Sequence, residues 1–146
     1  MSVSASQVAS YLLDKADEEA GDLISNLKLQ KLLYYCQGFH LAIFDKPLFD
    51  EKIIAWQHGP VVKSVYEEFS NNGRNPITTF TPIDPHKISK GSRELIDEVY
   101  DVYGQFSAWK LRDMTHEEAP WKDTSLMHEV ITHAALKEFF VTRIQN

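Results

Sequence analysis

The sequence is short of most features that announce a chemical activity. It has one cysteine, Cys36, so no intramolecular disulfide can form. No stretch approaches the roughly 18 consecutive apolar residues of a membrane-spanning helix. The opening MSVSASQVASYLLDKADEEAGD lacks the basic start and apolar run of a secretory leader. These absences predict a soluble, cytoplasmic protein with no membrane partner. Lys and Arg never form a dense run; Lys28 with Lys31 is among the nearest approaches, and 21 acidic residues outnumber 15 basic ones. The resulting charge of −6 gives a field that disfavours phosphate backbones, which argues against nucleic acid as a partner. The six glycines are scattered, without a P-loop, a dinucleotide fingerprint or a G-x-S-x-G nucleophile elbow. No cofactor is expected.

Catalytic and metal-binding patterns are equally sparse. His128 and His133 are five apart, a spacing that does not face them together on a helix, and no Cys pair accompanies them. His116 beside Glu117 and Glu118 lacks the second histidine of a metalloprotease helix. No metal site is expected from any local motif, which leaves only one assembled from distant residues. Asp17-Glu18-Glu19 lacks the alternating oxygen ligands of an EF-hand and reads as a solvated helix end. Asp50-Glu51, Glu67-Glu68 and Glu117-Glu118 are adjacent pairs that point apart on a helix, and they read as solvated faces. Cys36 and His40 stand four apart, which brings them together on one helix and allows a thiolate–imidazole pair. Both fall on an apolar stripe, however, where cysteine behaves as a small buried hydrophobe. Catalytic residues are therefore not expected.

What is present is an ordinary core-forming composition, 43% hydrophobic and 25% charged, with eight Phe, six Tyr and three Trp. A chain of 146 residues suits one compact domain, residues 1–146, that buries roughly 68–70% of its unfolded surface without a staple. Ser4 and Gln7 form a capping-box pattern ahead of a first helix, with Gly21 as its terminator. Ser25 or Asn26 caps the principal helix. Its stripe of Leu29, Leu32, Leu33, Cys36, Phe39, His40 and Ile43 is wide enough for a central element. Lys28, Gln30 and Lys31 are expected on its exposed side, and Gly38 marks a close approach by a neighbour. Ile53–Gln57 reads as a strand, paired with a second at Ile77–Phe80. Pro60 reads as the first residue of a helix with Val62, Val65, Tyr66 and Phe69 on its apolar face, closed by Asn72-Gly73. Further helices start near Ser89 or Ser92, at Ser107 and at Thr132. The expected fold is mainly α (α+β), with about six helices and a small two-stranded antiparallel element.

Two corners stand out. Trp56, His58, Gly59 and Pro60 place an aromatic ring and an imidazole beside an expected helix N-terminus, where an anion is favoured. The competing reading has Trp56 in the core and Gly59-Pro60 simply turning the chain. His116 with Pro120 and Trp121 forms a second corner, read as a packed turn or as an exposed binding surface.

Three stretches, LKLQKLLYYCQGFHLA, PLFDEKIIAWQHGPVVKSVYEEF and MTHEEAPW, together resemble the Panacea domain of the SocA-like antitoxin family, which includes phage-associated GepA-like proteins. The resemblance runs from about Val8 to Phe140. Cys36 stands where that pattern more often has alanine, and His58 where it has tyrosine. The resemblance implies a mainly helical antitoxin of a bacterial or prophage toxin–antitoxin system, which neutralises a cognate protein toxin by binding it. It also implies that some members hand the toxin to an energy-dependent protease, and that the family is not enzymatic. Candidate partner-binding or signature residues are Lys28, Gln30, Lys31, Trp56, His58, Gly59, Pro60, Thr115, His116 and Trp121. The alternatives are a small enzyme using His58, His116 and nearby carboxylates as acid and base, and a phage-encoded regulatory protein.

Overall fold

The computed structural model describes residues 3–18, 24–124 and 129–144. The expected terminator Gly21, Glu19 of the acidic run, and His128 lie outside that set. Among the described residues, helix α1 (Ala5–Glu18) is followed by α2 (Asn26–Phe44), strand β1 (Ile53–Trp56), strand β2 (Gly59–Val62) and α3 (Lys63–Glu68). Then come α4 (Lys90–Tyr103), α5 (Ala108–His116), α6 (Ala119–Lys122), β3 (Val130–Ile131) and α7 (His133–Phe140). The fold is mainly α with a small β element, as the sequence leads one to expect.

The helix starts follow their caps. Ser4 and Gln7 close a reciprocal capping box, Ser4 N–H donating to Gln7 Oε1 at 2.9 Å and Gln7 N–H to Ser4 Oγ at 3.1 Å. Ser25, Ser89, Ser107 and Thr132 each accept a backbone N–H of the first turn with the side-chain oxygen. Gly104 closes α4, and α2 ends at Asp45, which takes the left-handed conformation at φ 59°.

Helix α2 is the axis of the fold. It packs against α1, α3, α4, α5, α7 and β2, so it is buried almost all the way round rather than along one stripe. The expected core residues Leu29, Leu32, Leu33, Cys36 and His40 are buried, while Ile43 near the C-terminal end is 51% exposed. Gln30 and Lys31 were expected on an exposed side; instead they are 1% and 0% exposed. Gly38 does mark a close approach: a Cβ there would overlap the ring of Phe140 from α7. That ring is held edge-on by Tyr34, Tyr35 and Phe39.

The sheet differs from the expected pairing. Strand β1 is central in the order β2-β1-β3, antiparallel to both neighbours, with Trp56 opposite Gly59 and Ile53 opposite Val62 and Ile131. Its hairpin partner is therefore the Gly59-Pro60-Val61-Val62 stretch, and α3 starts only at Lys63. Pro60 tolerates this place because β2 is an edge strand. Opposite it, Ala55 turns its N–H away from β2 to Glu129 O at 2.9 Å, which makes Ala55–Pro60 a non-hydrogen-bonded pair. The ring nitrogen of Pro60 thus faces away from the ladder, and no pairing bond is lost. Ile77–Phe80 is not a strand. Pro76 forms a single bridge with Ser25, Ile77 N–H donates to Ile24 O at 2.8 Å, and the chain then runs on as a loop.

Candidate partner-binding site

Strand β2 lies against α2 along its outer edge, and that edge needs hydrogen-bond partners. Pro60 and Val62 occupy outward-facing positions; the Val62 C=O turns into the first bond of α3 as its N-cap, which leaves the Pro60 C=O and the Val62 N–H to be met. Lys31 Nζ donates to Pro60 O at 3.1 Å, and Gln30 Oε1 accepts from Val62 N–H at 2.9 Å. Gln30 Nε2 continues to Asn26 Oδ1 at 2.9 Å, and Asn26 Nδ2 to Tyr66 O at 3.0 Å. Two side chains of α2 thus stand in for a missing fourth strand.

Gly59 lies in the left-handed half of backbone space at φ 113°, and its missing side chain leaves room for this arrangement. A Cβ there would sit 2.6 Å from Lys31 Cε and 2.9 Å from Thr115 Oγ1. Thr115, on α5, is fully buried and donates its hydroxyl to Arg112 O at 2.8 Å. His116 stacks on Trp121 at 3.8 Å between centroids and 15° between planes. Trp121 Nε1 donates to Trp56 O at 2.6 Å, and His116 hydrogen-bonds to the Gln57 backbone. The two corners singled out in the sequence are therefore one unit, joined around Lys31.

Electrostatically this unit is unusual. Burial, and then the nearby Arg112 guanidinium, push the Lys31 ammonium down to about 7. Burial first and Arg112 second also lower His116. Such shifts can signal an acid–base site. Here, however, Lys31 is completely enclosed, and it lines neither the cleft at Tyr35 and Glu118 nor the one at Trp56 and Trp109. Cys36 and His40 likewise do not form a reactive pair. Burial pushes the Cys36 thiol up, while His40 is held by Lys46 O at 2.7 Å and Ser92 Oγ at 2.8 Å. Among the described residues, no group of three or more His, Cys, Asp or Glu side chains is placed to hold a metal ion.

The outer face of the same unit is an open groove of about 840 Å³ between the hairpin turn, α3, the loop at Gly73 and the start of α5. Trp56 meets Tyr66 edge-on at 5.2 Å, and Leu27 and Val61 add apolar surface. Trp109 and Tyr66 are 57% and 38% exposed, unusually open for rings of this size. His58 sits at the rim, 6.2 Å from the Trp109 ring, and accepts from Arg112 Nε at 3.2 Å. Helix α3 begins at Lys63, beyond β2, so Gly59-Pro60 opens no helix and the anion site expected at a helix N-terminus there is not formed.

Of the ten candidate residues, the groove collects Gln30, Trp56 and His58, with Gln30 contributing although almost all of it is covered. Lys31, Gly59, Pro60, Thr115, His116 and Trp121 form its backing. Lys28 is apart from both and reaches the Gly104 carbonyl at the α4–α5 junction. Sequence reasoning passed over Trp109, whose signal was a tryptophan off the buried Leu111–Thr115 line of α5. It also misread Glu118 as solvated. Glu118 accepts from Tyr34 and Tyr35 hydroxyls at 2.9 Å each, and burial raises its carboxyl despite both donors.

The family described as Antitoxin SocA-like, Panacea domain, matches residues 29–122, from the first turn of α2 to the end of α6. The chain belongs to this family. Antitoxin SocA of Caulobacter vibrioides (strain NA1000 / CB15N) is 51% identical over 136 residues, covering 82% of this chain and 69% of the relative. No solved structure matches the chain. The matched Panacea region contains the whole Lys31-centred unit. Helices α1 and α7 flank it, with Phe140 of α7 filling the space above Gly38. Among the described residues, no helix is long and apolar enough to cross a membrane.

Proposed function

We propose that the protein is the antitoxin of a bacterial or prophage toxin–antitoxin system, acting in the cytoplasm as a single unit that neutralises a cognate protein toxin by direct binding. The observation that carries this reading is the 51% identity to a protein named Antitoxin SocA, spread over 82% of the chain. The geometry supports binding rather than catalysis. Lys31, whose ammonium burial pushes down to about 7, is sealed from solvent, while the outer face offers Trp109, Tyr66 and Trp56. Trp, Tyr and Arg are the side chains that most often dominate interface energy, and the groove supplies all three.

Coexpression with the adjacent open reading frame tests the proposal. Expression of that neighbour alone should arrest growth, and adding this chain should restore growth and yield a complex that copurifies. A harmless neighbour that never associates would end the reading. Delivery to an energy-dependent protease is the second part of the proposal, and it has its own measurement. The toxin's half-life should shorten several-fold when this chain is present and the protease is intact; an unchanged half-life leaves neutralisation by binding alone.

A further inference from the structure

The aromatic groove differs in charge from the chain that forms it. The chain as a whole carries −6. Yet among the described residues no carboxylate lines the groove, and the exposed Arg74 is the one permanently charged side chain in its lining. Just behind the rim, the Arg112 guanidinium lies 4.6 Å from the centre of the Trp109 ring. Because His58 Nδ1 accepts from Arg112 Nε, the proton of that imidazole sits on Nε2 and makes it a second donor. Asp113, next to Arg112, is engaged by Arg112 Nη1 at 3.1 Å, and Glu68 of α3 by the Ser6 hydroxyl at 2.8 Å. An apolar floor is thus bordered by donors and a cation on an otherwise acidic protein.

We infer that the groove takes an acidic segment of the toxin, with an apolar side chain against Trp56, Tyr66 and Trp109 and Asp or Glu carboxylates at Arg74 and His58. This inference rests on the antitoxin reading above. A basic segment would set a like charge against Arg74, and a purely apolar one would bring it no counter-charge. The bulk field of the chain repels an acidic partner, so the local field of the groove is what selects the docking site.

The test uses the full chain and the purified protein encoded by the adjacent open reading frame. Trp109→Ala should weaken binding about tenfold or more, as loss of an anchoring tryptophan does. Arg74→Glu should weaken it by about tenfold, while Arg74→Lys stays within about threefold of the wild type. Lys87→Glu changes the net charge by the same amount beside His40, at the other end of α2, and should leave affinity nearly unchanged. Each variant is checked for an unaltered melting temperature. A benzoylphenylalanine photocrosslinker in place of Ser70, which lines the groove, should attach to a toxin segment rich in Asp and Glu. Equal affinity for Arg74→Glu and Lys87→Glu overturns the inference and leaves the antitoxin reading intact. A crosslinked segment that is basic or uncharged does the same. Absence of both growth rescue and complex removes the antitoxin reading, and the inference with it.

Discussion

Lys31 couples the stability of the fold to pH in a direction opposite to that of a paired lysine. Its ammonium is enclosed on every side, with Pro60 O as its hydrogen-bond partner and Arg112 as a nearby like charge. In the unfolded chain it titrates near 10.5, and in the fold at about 7. The unfolded state therefore binds more protons between those two values, and stability rises with pH across that window. Below about pH 7 both states are protonated and the cost of burying the charge is fully present. Above 10.5 both are neutral and the cost is gone. At 1.36 kcal/mol per pH unit, the gap corresponds to a penalty on the order of 5 kcal/mol at low pH.

Replacing Lys31 by Met removes that penalty but leaves the Pro60 carbonyl without its donor, at a cost of about 1–3 kcal/mol. Lys31→Met should accordingly match or exceed the wild type in stability near pH 6.5 and fall below it near pH 10. Urea unfolding of both proteins at several pH values between these limits measures the difference directly. Subtracting one from the other cancels the titratable groups that do not feel Lys31; His116, which does, is held below its ordinary value of 6.5 and so titrates below the window. A difference that stays constant to within about 0.5 kcal/mol would refute the argument, because the slope expected inside the window is about 1.4 kcal/mol per pH unit.

Gly38→Ala should destabilise by about 1–3 kcal/mol despite the better helix propensity of alanine, since its methyl overlaps the clamped Phe140 ring; calorimetry of this variant and of Gly38→Ala with Phe140→Leu, which should recover part of the loss, checks it. Glu118→Ala leaves the Tyr34 and Tyr35 hydroxyls without an acceptor and should cost roughly 2–4 kcal/mol, whereas Glu118→Gln should cost less; denaturant titration separates the two. Cys36 is fully buried with its thiol pushed up, so a thiol reagent should label it only as fast as the protein unfolds. Labelling in seconds under native conditions would contradict the packing of α2.

Much of the helical framework was legible because caps are local. Ser4 with Gln7, Ser25, Ser89, Ser107 and Thr132 act within a single turn, and each begins a helix where its hydroxyl can reach a backbone N–H. Gly38 was legible for the same reason, a local cost that only a close neighbour explains. The sheet was not, because pairing is decided by tertiary context. Pro60 after Gly59 has the form of a helix start, and only the orientation of Ala55 in β1 makes it an acceptable strand residue. The polar residues of α2 were misread because amphipathic periodicity assumes one face toward water, and α2 has none along most of its length. Trp109 and Glu118 show the complementary difficulty. Whether a lone ring is covered, or a carboxylate is met by two tyrosines, depends on elements far away in the chain.

Burying Gln30 and Lys31 has a physical reason that bears on where specificity resides. An edge strand against a helix would leave a carbonyl and an N–H unpaired, each costing about 1–3 kcal/mol. Gln30 and Lys31 take those two groups, and Gly59 leaves the room they need. These residues fix the backing of the groove and present almost nothing to a partner. The side chains proposed as toxin contacts, Trp109, Tyr66, His58 and Arg74, take no part in that backing. The two sets should therefore separate in experiment. Gly59→Ala, strained by its φ and by contact with Lys31, should lose folding and toxin binding together. Trp109→Ala should lose binding at an unchanged melting temperature. If Gly59→Ala instead melts like the wild type while binding is lost, the Lys31-centred unit is itself a contact surface, and the division between backing and groove is wrong.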